Sequence, residues 1–228
     1  MGLARVLSES FELLEERPRL FAPKIFSTSV STVWMLGLLN SIGQPSYLYY
    51  AAALPFLVVL GVAVSVMVAA MVDSDRGLKD GFRATVNRWK TVLKASALFL
   101  VTGLLFSLPM SAGFILYMLE GNITALVAGS ALSLAAVLAL SFGVYFLPIT
   151  IVKNRSFLKS LTESVSTSTD NSREVGLLLM FSLALLGFAS LTQGIFRGLG
   201  YAGFAAGRLL SAIVTTYLFV VSPKYYLS

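Results

Sequence analysis

Residues 145 to 164 read YFLPITIVKNRSFLKSLTES, and this stretch decides how the chain is organised. Its first part is apolar and contains Pro148, like the end of a membrane helix. Lys153, Asn154 and Arg155 follow, and apolar residues then recur every fourth position at Phe157, Leu161 and, just beyond, Val165. That spacing, with polar residues between, marks an amphipathic helix. A span therefore hands over to a helix too short and too charged to span.

Composition names the solvent. The 228 residues are 57% hydrophobic and only 12% charged. An ordinary soluble domain is about a quarter charged, so this chain has too little polar surface to coat a water-soluble body. Apolar stretches long enough for a hydrocarbon core of about 30 Å occur six times, near 24–43, 50–72, 94–118, 125–151, 175–196 and 204–222. The first starts at Pro23 and carries Ser27, Thr28, Ser29, Ser31 and Thr32. Such hydroxyls can bond back to carbonyls one turn earlier, so the stretch remains compatible with a span.

Loops on the cytoplasmic side of a membrane carry an excess of Lys and Arg. Six spans place fifteen of the seventeen basic residues on one side, with only Arg197 and Arg208 on the other. Both termini are expected to be cytoplasmic, in a cell membrane crossed several times. The first twenty residues hold Glu9, Glu12, Glu15 and Glu16 without an apolar run of signal-peptide length. The first span is then the insertion signal.

The chain contains no cysteine and no histidine. Disulfides, thiol catalysis, iron-sulfur or zinc-thiolate sites and imidazole-based chemistry are thereby excluded. Ser-His-Asp hydrolysis and HExxH metalloprotease chemistry fall with them.

The amphipathic pattern after Arg155 has two counterparts. Residues from Gly77 give Leu78, Phe82 and Val86 at the same spacing, and the N-terminus gives Leu3, Leu7 and Phe11. A small residue usually precedes each apolar one, as at Gly77, Gly81 and Thr85 or at Ser156, Ser160 and Ser164. The expected fold is all-α: six transmembrane helices as three hairpins, each preceded by a cytoplasmic amphipathic helix in the membrane interface, its apolar stripe toward lipid or toward the helix bundle. This pseudo-threefold repeat makes one polytopic domain, 1–228, with units of about 1–75, 76–154 and 155–228. The external turns are short: Asn40 to Tyr49 with Gly43 and Pro45, Leu119 to Thr124, and Arg197 to Gly203. Mitochondrial carriers also pair their helices, but their Pro-x-acid-x-x-base motif is missing here, and their termini lie opposite the long loops.

Few residues offer chemistry. An ionisable group inside a membrane is the default functional signal, and the candidates are Glu120, Arg197 and Arg208, all toward the outer side. Snorkelling to headgroups is the simpler role for them; an inward Arg208 is a candidate anion or lipid-headgroup contact. On the inner side Arg83, Arg88, Trp89, Lys90 and Lys94 cluster before the third span, a pattern that attracts anionic lipid and that Trp89 anchors. Nucleic acid is the poorer reading, because topology alone requires the basic excess. Gly194 and Gly198, then Gly203 and Gly207, repeat at the spacing that lets helices approach closely. Within one hairpin that favours internal packing over a partner subunit or a second copy. Pro55, Pro109, Pro148 and Pro223 are expected to shape or kink their helices. Asp73 and Asp75 read as a solvated helix exit, not a metal pair, and Asn122 opens a sequon in a turn too close to the membrane for modification. No catalytic residue, metal or cofactor is expected.

Phe146, Pro148, Ile151 and Val152, followed by the charged turn and the helix ending in Ser164, together with the entry at Glu16, Arg17 and Pro18, resemble prokaryotic six-helix membrane families, archaeal ones among them, of unknown function. The resemblance implies an integral membrane protein and transfers no site residue. The expected role is a non-enzymatic embedded subunit or scaffold binding a partner protein or lipid. The alternative is a transporter or channel for a small or amphipathic solute.

Overall fold

The computed structural model describes residues 3–42, 47–74, 77–154 and 156–228. They form α1 (Leu3–Glu16), a 3-10 turn (Pro18–Phe21), α2 (Ala22–Ile42), α3 (Tyr47–Ser74), α4 (Leu78–Asn87), α5 (Trp89–Glu120), α6 (Ile123–Gly143), α7 (Leu147–Lys153), α8 (Phe157–Asp170), α9 (Ser172–Arg197) and α10 (Gly200–Leu227), with no strand among them. Gly2, Gly43, Pro45, Asp75, Arg76 and Arg155 lie outside the described residues, as does the side chain of Arg197.

Among the described residues, five stretches are long and apolar enough to cross a membrane: Ala53–Ser74, Trp89–Glu120, Ile123–Lys153, Ser172–Phe196 and Gly200–Leu227. The protein is all-helical and multi-pass. The first expected span coincides with α2, which is not among the five.

Two tight turns join the long helices. Gly121 closes α5 at φ 66°, a left-handed conformation that glycine adopts without Cβ strain, and its N–H donates to Tyr117 O at 2.9 Å. Asn122 Oδ1 then accepts from the Ala125 N–H at 3.0 Å and caps α6. Gly200, at φ 73°, turns α9 into α10 in the same left-handed region. Each hairpin closes on backbone contact. In α5 and α6, Cβ atoms at Gly113 and Gly129 would collide with the Ala125 and Pro109 carbonyls. Pro109 interrupts the α5 bonding ladder, and the next N–H, at Met110, donates to Ser133 Oγ at 3.1 Å. In lipid a freed backbone group needs such a partner.

The helices hold together mainly at one end, here the capped end, where α1, α4, α7 and α8 gather. Phe146, Ile149 and Ile151 pack there with Val66 and Ala69 of α3, Val92 and Ala95 of α5 and Val175 of α9. A second cluster joins Leu14, Leu20, Val68, Met71 and Val220. The last turn of α10 is latched across this end. Tyr225 OH donates to Glu174 Oε2, Tyr226 OH donates to Glu163 Oε1, and Asn154 Nδ2 donates to Glu163 Oε2. Phe146 stacks on the Tyr225 ring at 5.7 Å, and Lys153 Nζ lies 4.9 Å over the Tyr226 ring. Toward the opposite, open end the α5/α6 hairpin stands apart, and every residue from Phe114 to Thr124 is exposed.

One expectation changes and another is narrowed. The stretch 125–151 is not one helix: α6 stops at Gly143 and α7 begins at Leu147, with Pro148 in its first turn. Proline fits a first turn because its missing N–H has no helical partner there, so Pro148 opens α7 and does not close a span. For the short amphipathic helices the structure separates the two stripe orientations that the sequence left open. On α4 and α8 the buried positions are small residues, Gly81 and Thr85, and Ser160, Ser164 and Ser168; on α1 the buried Ser10 lies between two larger buried residues, Val6 and Leu14. Of the large apolar residues one position later, Phe11, Phe82 and Val165 face outward at 57%, 61% and 41% exposed, whereas Phe157 and Leu161 are half-buried against the first cluster. Lipid tails are as apolar as leucine, so large residues gain nothing by turning inward, whereas small ones allow close approach.

Candidate functional site at the helix break

The break between α6 and α7 puts backbone carbonyls into a largely apolar interior, where each needs a donor. Ser164 Oγ of α8 donates to Gly143 O at 2.9 Å, and Ser222 Oγ of α10 donates to Tyr145 O at 2.7 Å. One turn further on, Thr150 Oγ1 reaches Ser160 O at 2.9 Å while Ser160 Oγ reaches Thr150 O at 3.2 Å. Ser160 and Ser164 of α8 thus clamp the broken span.

Beside the break lies a cavity of about 200 Å³. Val144, Tyr145 and Pro148 form one wall, Val62 and Ser65 of α3 another, and Ser182, Ser222 and Pro223 of α9 and α10 complete it. The Ser65 and Ser182 hydroxyls donate to their own helices, to Gly61 O at 2.9 Å and Leu178 O at 2.7 Å. The Tyr145 hydroxyl is buried beside Ser182 without a well-formed hydrogen bond. An unmade hydrogen bond costs about 1 to 3 kcal/mol. Chemically, the cavity can hold a small apolar or amphipathic molecule that meets one hydroxyl, and none of its lining groups is an activated nucleophile.

Arg208 does not extend to the rim. Its Nε donates to Thr32 Oγ1 at 2.7 Å, its Nη2 donates to Ser31 Oγ at 2.7 Å, and Nη1 lies 3.3 Å from Met35 Sδ. The guanidinium also sits 5.7 Å over the Phe204 ring. These contacts bind α10 to the hydroxyl stripe of α2, and among the described residues no carboxylate pairs with Arg208. Glu120 is exposed at the end of α5.

At the capped end Arg83, Trp89, Lys90 and Lys94 are exposed, and Lys90 Nζ lies 5.8 Å over the Trp89 ring. Arg88 is half-buried, with Nη1 3.5 Å from Ala84 O. Of the four glycines, Gly203 and Gly207 sit where a Cβ would strike Phe196, whereas a Cβ at Gly194 would meet open space and one at Gly198 only its own turn. Sequence reading missed the α8 clamp, the Tyr145 cavity and the carboxylate latches on Tyr225 and Tyr226. The signal for the break was present in Gly143 followed by Pro148, a stop and a start five residues apart.

No protein-family model matches the chain, and neither the curated proteins nor the solved structures contain a significant match to it.

Proposed function

We propose that the protein is a non-enzymatic, membrane-embedded scaffold or subunit that binds lipid, and through the same apolar surfaces a partner protein or second copy. The observation carrying this reading is the α5/α6 hairpin, which is apolar, anchored at the capped end and exposed on all sides toward its tip. The lack of histidine and cysteine in the sequence narrows the scope for catalysis. In this reading α2 is the sixth span, the capped end is cytoplasmic, and each hairpin follows one interfacial helix in a threefold series. Support for the series comes from the four-residue spacing of the buried positions that α1, α4 and α8 share, small on α4 and α8 and mixed on α1.

Native mass spectrometry of the protein in mild detergent tests the reading. Retained lipid or bound protomers are expected. A lone monomer stripped of lipid overturns it.

The Tyr145 cavity favours a second reading, a path for a small solute. Osmotic shrinkage of proteoliposomes in glycerol should then recover faster than that of empty vesicles, and Ser65→Phe should abolish the difference. Equal recovery with and without protein removes this reading.

A further inference from the structure

Helix α4 is seated on α3 through Gly81, where a Cβ would lie 2.7 Å from Met71 Cγ and 3.3 Å from Met67 O. With Gly81 and Thr85 turned inward, Leu78 and Phe82 overhang the space between α2 and α3. Beneath them runs a groove of about 730 Å³, floored by Leu60, Ala63 and Val64 of α3 and walled by Pro23 and Phe26 of α2. From Leu60 to Met67 it follows α3 for about 10 Å at 1.5 Å per residue, along the spanning direction that an acyl chain takes. Its lining is almost wholly apolar, and Lys79 stands at the α4 end.

Lys79 and Arg83 lie four residues apart, on neighbouring positions of one helix face. Both are exposed, and among the described residues neither forms an ion pair. Asp80 is the one acid on α4. A second apolar groove, of about 430 Å³, lies beside α1 between Phe11, Leu14, Phe21, Phe181 and Tyr217, but there the charged lining residue is Glu15. The two grooves thus share their apolar lining and differ in the sign of the charge.

We propose that the α2/α3/α4 groove binds an anionic glycerophospholipid, one acyl chain lying along Leu60, Ala63 and Val64 and the phosphate held by Lys79 and Arg83. The assignment rests on the lipid-binding reading above and narrows it to one site, one headgroup charge and one residue, Lys79, outside the basic cluster before α5. Glu15 disfavours the same headgroup at the α1 groove.

The test reconstitutes the full chain with equal amounts of phosphatidylglycerol and phosphatidylcholine, extracts it in mild detergent and counts retained lipids by native mass spectrometry. The parent should retain phosphatidylglycerol preferentially. K79Q should lower that preference about fivefold, since each surface cation contributes on the order of a fivefold factor, and K79Q/R83Q should lower it further. Ala63→Trp, which fills the groove, should reduce retention of both lipids. Because Lys79 and Arg83 are exposed, their variants should keep the parent's helix content by circular dichroism. An unchanged phosphatidylglycerol preference in K79Q/R83Q overturns the site while leaving the lipid-binding reading intact. Absence of retained lipid on the parent overturns both.

Discussion

Ser164 donates its hydroxyl to the carbonyl of Gly143 at 2.9 Å, so a residue of a short amphipathic helix caps the last turn of a membrane-spanning one. That bond, with Ser222 on Tyr145 O, satisfies two of the carbonyls at the break between α6 and α7.

Ser164→Ala should cost about 1 to 2 kcal/mol by leaving a buried carbonyl without its donor. Val165→Ala, one residue later on an exposed position, should change stability by no more than about 0.5 kcal/mol. Thermal melts followed by circular dichroism make the comparison. If Val165→Ala proved the more damaging, α8 would be seated on its apolar stripe and the orientation described above would be wrong.

The α5/α6 hairpin should be sensitive to single methyl groups. Gly129→Ala puts a Cβ into the Pro109 carbonyl, and overpacking of this kind costs about 1 to 3 kcal/mol. Ser133→Ala removes the acceptor for the Met110 N–H and should cost about 1 kcal/mol. Gly103, with open space around it, is the matched control: Gly103→Ala should be neutral or slightly stabilising, as expected for alanine in a helix interior.

Glu9 ties α1 to the end of α10. The Arg5 side chain, bonded to it at 2.7 Å, and then Lys224, at 3.0 Å, hold its carboxyl below the ordinary value of 4.5. A carboxyl with a depressed folded pKa contributes stability that is fully present above its unfolded pKa and is lost as pH falls through the folded one. Docking of α1 should therefore weaken only below about pH 4.5. With no native cysteine to compete, a nitroxide at Ser8→Cys reports this directly. Its spectrum should sharpen on acidification in the parent, and in Glu9→Gln it should already be mobile at neutral pH. Identical spectra at every pH would remove the tie.

Single cysteines also test topology. Asn171→Cys at the capped end and Asn122→Cys at the open end, both on exposed positions, should react with a membrane-impermeant maleimide from opposite sides of intact cells. Only the Asn122 site should label from outside. Labelling of both from one side would break the hairpin arrangement.

Much of the architecture was legible because length and hydropathy decide whether a segment can cross a bilayer. Phe157, Leu161 and Val165 likewise announced a helix. What periodicity left open was which of two adjacent stripes faces inward, because Ser160 and Ser164 repeat with the same period one residue earlier. In water the larger stripe is the natural core, whereas in lipid close approach decides. The cavity at Tyr145 was out of reach for another reason: its walls come from α3, α5, the α6/α7 break, α7, α9 and α10, brought together only by the tertiary fold. Lys79 looked like one more topogenic cation until the groove beside it was visible.

The α5/α6 hairpin behaves mechanically as a cantilever. It is clamped where Val92 and Ala95 meet Val66 and Ala69 and unsupported at the Gly121 turn. Phe99 of the same arm borders the Tyr145 cavity near the clamp, so any tilt of the arm about that clamp would move one wall of the cavity.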